Sequence, residues 1–188
     1  MKTPVLSLVP WSNLDRPRIC KIEILSSLLL ERTLLELLWK SFQVSPFWFQ
    51  THNFCADKLY WVSDVKPPQN FKNAFFFNID ADLTYFPFNK DFGPLNLAMV
   101  HRYCRELARL LRDQTYSENK IFHYCSSADQ GHKMVNGAFL MGAFCIVILK
   151  MSADSTYEKF KSYHGLFKPF RDASKGDCFY NCTLHHVL

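Results

Sequence analysis

Beyond residue 53, short aromatic runs that favour strands alternate with longer segments of helical period. LYWV (59–62) and AFFFNI (74–79) predict two strands, separated by the breaker sequence KPPQN. LTYF (83–86) predicts a third, shorter one. Gly93-Pro94 then predicts a helix start, because proline's fixed φ suits the first helical position. Leu97, Val100, Tyr103, Cys104, Leu107, Leu110 and Leu111 recur at steps of three and four and define its apolar stripe. Arg102, Arg105, Glu106 and Arg109 take the opposite face. KIFHY (120–124) predicts a further strand, followed by a polar turn and a helix over 132–150. Phe139, Leu140, Phe144, Ile146, Val147 and Ile148 cover almost every face of that helix, which places it in the interior. Ser152 is positioned to cap a helix over 153–163 with Asp154 in its first turn, and Asp177 to cap a last helix. Strands alternating with helices imply an α/β fold whose sheet is covered on both faces.

Residues 1–53 have a different texture. Ile22, Leu25, Leu29, Leu35, Leu38 and Phe42 recur at near-helical steps, with Glu31, Arg32, Glu36 and Lys40 between them. This predicts an amphipathic, leucine-rich helix over 20–42. Two functional readings fit it, a partner-binding helix and a membrane-surface helix. Two plainer ones are a helix packed on the domain and an alternative exon or mis-set start. Charges on several faces and the lack of a basic stripe favour the plainer readings.

Composition narrows the classes. Hydrophobic residues make up 48% of the chain and 18 are Phe, enough for a dense core and too much for disorder. The formal charge of +5 is spread out, with no Lys/Arg run longer than two, so nucleic acid is not an expected partner. Seven Cys, an odd number, do not suggest a disulfide framework. The start MKTPVLSLVPWSN lacks the pattern of a secretory signal. The longest apolar run, 137–149, is too short to span a bilayer. A reduced, soluble, intracellular protein without a transmembrane segment is the expectation.

The junction of strand 120–124 with helix 132–150 is where chemistry is expected. Cysteine-dependent phosphatases place their active site at such a strand–loop–helix turn, with the pattern His-Cys-x5-Arg. The thiolate attacks phosphorus and the guanidinium clamps two phosphate oxygens. Here His123 is followed by Tyr124, and Gln130 stands where the arginine belongs. Cys125 falls one position late, and no Arg occurs between Arg112 and Arg171. A thiol at a helix N-terminus can still be reactive, so Cys125 remains a candidate nucleophile. In the same turn, Asp129 reads as a cap for the following helix. The terminal CFYNCTLHH offers Cys178, Cys182, His185 and His186 to a metal, but adjacent histidines point to different sides of a helix, and no metal is expected.

Several segments occur together in one order: DKLYWVS (57–63), FFFNID (75–80), KDFGPLNLAMVHRYC (90–104), KIFHY (120–124), NGAFLMGAF (136–144) and KPFRDASKGDCFYN (168–181). In these the chain resembles the N-terminal, non-catalytic domain of the mitotic-exit dual-specificity protein phosphatases, the cell division cycle fourteen family. DFGPLNLAM and PFRDAS carry the resemblance most specifically, and it covers residues 53–188. It implies a dual-specificity phosphatase-like sheet flanked by helices, with residues 1–53 as an added N-terminal helical extension and 54–188 as the domain.

The family joins two tandem domains of one fold, of which the first selects substrate and the second carries the catalytic loop. In the family a linker helix and the catalytic domain follow the point that matches Leu188, and the catalytic half is not among these residues. The resemblance therefore implies a non-catalytic role here, substrate selection or docking, with a catalytic phosphatase domain or a phosphoprotein substrate as partner and no cofactor. It also implies a nuclear or cytoplasmic protein, at the spindle or centrosome. His123, Tyr124, Cys125, Asp129 and Gln130 form the vestigial loop, which departs from the family by two additional residues and by GHKM in place of a more basic stretch. Asp154, Arg171 and Asp172 are the candidates for substrate or domain docking, because the family uses acidic groups near its inter-domain cleft. An Arg171–Asp172 pair serving only as a loop anchor fits equally well. Two alternatives stay open: a free-standing pseudophosphatase scaffold, and an active phosphatase working through Cys125.

Overall fold

A computed structural model describes residues 9–10, 52–55, 57–66, 73–129 and 131–188. The leucine-rich segment 20–42 and Gln130 lie outside these residues. In chain order the strands are β1 (Val9–Pro10), β2 (His52–Cys55), β3 (Leu59–Asp64), β4 (Ala74–Asn78) and β5 (Lys120–Ser126). The helices are α1 (Leu97–Arg112), α2 (His132–Val147), α3 (Ala153–Glu158) and α4 (Leu184–Val187), with 3-10 turns at Gln114–Tyr116 and Lys161–Leu166.

The strands form one sheet in the order β1-β4-β5-β3-β2. β1 pairs with β4, β4 with β5 and β5 with β3, all in parallel, while β2 runs antiparallel on the outer edge of β3. The central strands are therefore the apolar, aromatic runs visible in the sequence, as expected where both faces of a parallel sheet are covered. Alternate side chains take opposite faces. Leu59, Trp61, Phe77, Ile121 and Cys125 join the core formed with the helices. Tyr60, Val62, Ala74, Phe76, Phe122 and Tyr124 make a separate apolar layer on the other face.

α2 is the centre of the helical side, with every residue from Met134 to Cys145 buried. Its axis lies close to β5 because residue 137 has no side chain: a Cβ there would sit 3.0 Å from Cys125 Sγ. Ile146 is only half-buried and Val147 and Ile148 are exposed, because the helix emerges from the core at its C-terminal end. α1 packs beside α2 through Val100, Tyr103, Cys104, Leu107 and Leu110. Its first residue, Leu97, is exposed against expectation, and its start is not at Pro94. Asn96 supplies the cap instead, accepting from Met99 N at 3.0 Å, so the stripe begins one turn later than the periodicity suggested.

Three further expectations need correction. LTYF (83–86) is a loop rather than a strand, with no ladder partner in the sheet order. The helix over 153–163 stops at Glu158 and continues as a 3-10 turn, although Ser152 caps it as predicted, accepting from Ser155 N at 3.2 Å. The last helix starts at Leu184 behind Thr183, not near Asp177. Leu184 is buried, and Val187 and Leu188 pack against the same core; a Cβ at residue 142 would meet Leu188 Cδ2 at 2.6 Å. Tyr180, by contrast, is exposed, next to an exposed Phe179.

Candidate functional site

Strand β5 extends two residues further than predicted, and this decides the fate of the vestigial loop. Cys125 is inside the strand, opposite Ser63 of β3, rather than in the turn. Its side chain is fully buried against α2, with Sγ 3.7 Å from the Val62 carbonyl. Burial pushes the thiol well above its ordinary pKa. A nucleophile needs the opposite, a thiolate held by positive charge in reach of solvent. Tyr124, at the position a catalytic cysteine would take, points to the other face and donates to the Asp64 carbonyl at 3.0 Å. His123 faces α1 and α2, fully buried, with Nδ1 2.9 Å from the Tyr103 hydroxyl and its ring stacked on Phe77. Burial holds its imidazole at a pKa of about 3, so it is neutral. Asp129 does what its position predicts: its carboxylate accepts from Lys133 N at 3.0 and 3.2 Å in the first turn of α2.

Beside this junction lies a cavity of about 410 Å³. It opens at the carboxyl ends of β4 and β5, where parallel α/β sheets commonly place their sites. Its floor is Ile79, Leu83, Leu95 and Gly137; its polar groups are Asp80, Asp91, Asp129, Lys90, His132 and Lys133. The carboxylates are already engaged. Asp80 accepts from Ser126 N at 2.8 Å, and burial raises its pKa. Asp91 accepts from the Tyr85 hydroxyl and from Asn89 N, and the Tyr85 bond draws its pKa down to about 2. Asn136 donates to the Phe92 carbonyl at 2.7 Å, which ties α2 to the loop ahead of α1. The lining contains lysines and one histidine, with no arginine to make a bidentate fork. Such a cavity can hold a side chain or a loop of a partner. It lacks the paired nucleophile and guanidinium that phosphoryl transfer uses.

The remaining candidates are dispersed. Asp172 sits in the exposed loop after Phe170 and accepts from the Ser174 amide and hydroxyl, while Arg171 donates to the Gly176 carbonyl. Both side chains therefore anchor their own loop. Asn89, on the cavity rim, bonds the Ala173 and Ser174 carbonyls at 3.4 Å and joins that loop to the cavity. Asp154 belongs to another neighbourhood, 2.9 Å from His185 of α4. Cys178 meets the Tyr180 carbonyl and His186 Nδ1 meets Thr183, so Cys178, His185 and His186 have separate partners. The cavity groups Asp80, Asp91 and Asn136 were not singled out as site residues from the sequence, although they lie in the segments FFFNID, KDFGPLNLAMVHRYC and NGAFLMGAF that carried the resemblance. Phe86 was read as the end of a strand and Phe88 was not singled out; both phenylalanines are bare, at 83% and 90% exposure.

A parallel strand feeding a loop and a buried helix, with a cavity at the strand's carboxyl end, is the dual-specificity phosphatase-like frame that the resemblance implies. The chain matches the family described as dual specificity protein phosphatase, N-terminal half, over residues 53–188, and belongs to it. It is 43% identical over 136 residues to the dual specificity protein phosphatase CDC14A of Mus musculus, covering 72% of this chain and 22% of that protein. The Homo sapiens CDC14A is 42% identical over the same length, covering 72% and 23%. The tyrosine-protein phosphatase CDC14 of Saccharomyces cerevisiae is 21% identical over 138 residues, covering 73% and 25%. The chain thus spans about a quarter or less of these curated relatives, and the match lies in their N-terminal half. Among the described residues no helix is long and apolar enough to cross a membrane.

Proposed function

We propose that this domain is non-catalytic and serves as a docking or substrate-selecting module for the catalytic half of a dual-specificity phosphatase, acting on phosphoproteins. The observation that carries the reading is the pair Phe86 and Phe88, exposed in a loop whose neighbours Tyr85, Pro87 and Asn89 line the cavity. Bare aromatic side chains next to a concave, partly polar cavity are the usual anchors of a protein interface. Leu97 at the head of α1 is also exposed and extends the apolar surface of this segment. The loop of Arg171 and Asp172, tied on through Asn89, adds a polar rim.

The buried thiol supports the non-catalytic half of the reading. Activating Cys125 requires moving it out of β5 and supplying a guanidinium from elsewhere. The docking half is tested by titrating the full chain with the separately made catalytic half of the mouse relative in a calorimeter. Saturable binding is expected, weakened about 10- to 30-fold by Phe86→Ser with Phe88→Ser, since interface anchors commonly carry 2 kcal/mol or so. The double variant should melt at the parent temperature, because both rings are in solvent. If the parent chain binds nothing, the docking reading fails and a free-standing scaffold replaces it.

A further inference from the structure

Helix α1 turns a face of one charge sign to water. Between residues 53 and 188 the chain has five arginines, and four of them, Arg102, Arg105, Arg109 and Arg112, are in this helix. At about 100° per residue they fall within an arc of about 80°. The buried stripe of Val100, Tyr103, Cys104, Leu107 and Leu110 takes the opposite side. Arg102 and Arg112 are exposed, as is Arg105, whose side chain is 66% accessible. The one acid of the helix, Glu106, is engaged twice: Oε1 accepts from Arg105 at 3.1 Å and Oε2 from Arg109 Nε at 2.9 Å. Arg102 and Arg112, at the two ends of the row, make no ion pair with a described residue. The acid next to Arg112, Asp113, spends its carboxylate on Thr115 N at 2.9 Å.

Helix stability does not call for this row. Like charges three and four residues apart destabilise a helix, and Arg102–Arg105, Arg105–Arg109 and Arg109–Arg112 all have that spacing. The macrodipole favours cations in the last turn, which accounts for Arg109 and Arg112 but not for Arg102 in the N-terminal half. A face that serves only for solubility mixes both signs. The row also defines the shape of what it can hold. Arg102 and Arg112 are about 15 Å apart at about 1.5 Å per residue. An extended peptide covers that length in about five residues at about 3.3 Å each. The only large apolar side chain that α1 exposes is Leu97, too little to insert into a lipid surface. Glu106 displays the matching chemistry, a carboxylate held between two guanidinium groups.

We propose that the arginine face of α1 docks an extended segment of a protein partner rich in aspartate and glutamate. Arg102 and Arg112 take carboxylates at the two ends of the row, where the planar guanidinium can bind both oxygens. Arg105 takes a third between them, and Glu106 keeps Arg105 and Arg109 in place. Glu106 also sets the preference for carboxylates over phosphates, because a dianion in the middle of the row would face its fixed negative charge. This surface goes beyond the docking of a catalytic half and does not depend on Phe86 and Phe88.

The test titrates the full chain into a fluorescein-labelled octapeptide of alternating Glu and Ser and follows anisotropy. Saturable binding is expected, weakened by added salt. Arg102→Gln with Arg112→Gln should weaken it roughly tenfold at unchanged Tm, because both side chains are in solvent. Lys66→Gln with Lys175→Gln removes the same charge from exposed sites outside α1 and should leave binding at the parent level. Absence of saturable binding, an equal loss in the lysine variant, or equal binding of a Gln-Ser octapeptide would overturn the proposal. Two competitors complete the test. Tighter binding of an octapeptide of alternating phosphoserine and Ser would assign the row to phosphate and overturn the carboxylate reading. Arginine-dependent binding to phosphatidylserine vesicles that the Glu-Ser peptide does not displace would assign it to a lipid surface, and would overturn the proposal as well.

Discussion

Acidification should weaken this protein through His123, and the size of the effect follows from where the ring sits. The imidazole is fully buried between β5 and the helices, and its Nε2 has no hydrogen-bond partner among the described residues. Its folded pKa is about 3, against an ordinary 6.5, because burial disfavours the charged ring. Between those values the unfolded chain carries a proton that the folded chain does not. Stability therefore falls as pH drops, at about 1.4 kcal/mol per unit, and the full effect is on the order of 4 kcal/mol by pH 3–4. The thiols and the phenol packed near the ring do not titrate in this window. Cys104 is raised to about 11 and Cys145 to about 12 by burial, and Tyr103 and Cys125 are raised further. Asp91, lowered to about 2 by its bond from Tyr85, loses its contribution only below the ordinary carboxylate range. His132 is lowered by burial and Asp80 raised by burial, and both are common to parent and variant. The assay is urea unfolding of the parent and His123→Gln at pH 7.5, 6.5, 5.5 and 4.5. The variant should be less stable at pH 7.5, and the gap should narrow by about 2–3 kcal/mol across the series. Parallel stability curves for the two proteins would refute a buried, neutral His123.

Phe144→Ala, in the buried run of α2, should cost about 3–5 kcal/mol and lower Tm by roughly 6–20 °C for a domain of this size; an unchanged melting temperature would place the helix at the surface. Asp129→Ala removes the acceptor of the Lys133 amide and should cost about 0.5–2 kcal/mol, read as a smaller fall in Tm with unchanged circular dichroism.

Much of the fold was legible because it rests on runs that local physics makes unambiguous. The aromatic strands β3 and β4 and the all-round apolar α2 had no other stable place, and the Ser152 cap and the Asp129 contact with α2 follow from short-range chemistry. The misreadings share one cause, which is tertiary context overriding a local signal. LTYF has strand-like side chains but no free sheet edge: the neighbours of β4 are β1 and β5, so the segment became a rim loop with Phe86 and Phe88 outside. Cys125 was assigned to the turn because apolar character fades after Tyr124, yet pairing with β3 carries β5 through Ser126. The seat of Leu188 on α2 was not legible either, because nothing local says that residue 142, a glycine, leaves room for it. The cavity was invisible for a related reason. Asp80, Asp91 and Asn136 come from three separate segments, and only the sheet order brings them together.

Whether this phosphatase frame docks without transferring phosphate is decided by a single-turnover assay. The purified full chain is mixed at high concentration with a radiolabelled phosphotyrosine peptide and, separately, a phosphoserine peptide. Released phosphate and any acid-stable phosphocysteine are then followed for hours, beside a Cys125→Ser control. The displaced, buried thiol and the missing guanidinium predict no release above the control and no trapped phosphoenzyme, since loss of even one transition-state donor costs on the order of 100-fold or more. Stoichiometric phosphate release or a phosphocysteine that disappears in Cys125→Ser would contradict it.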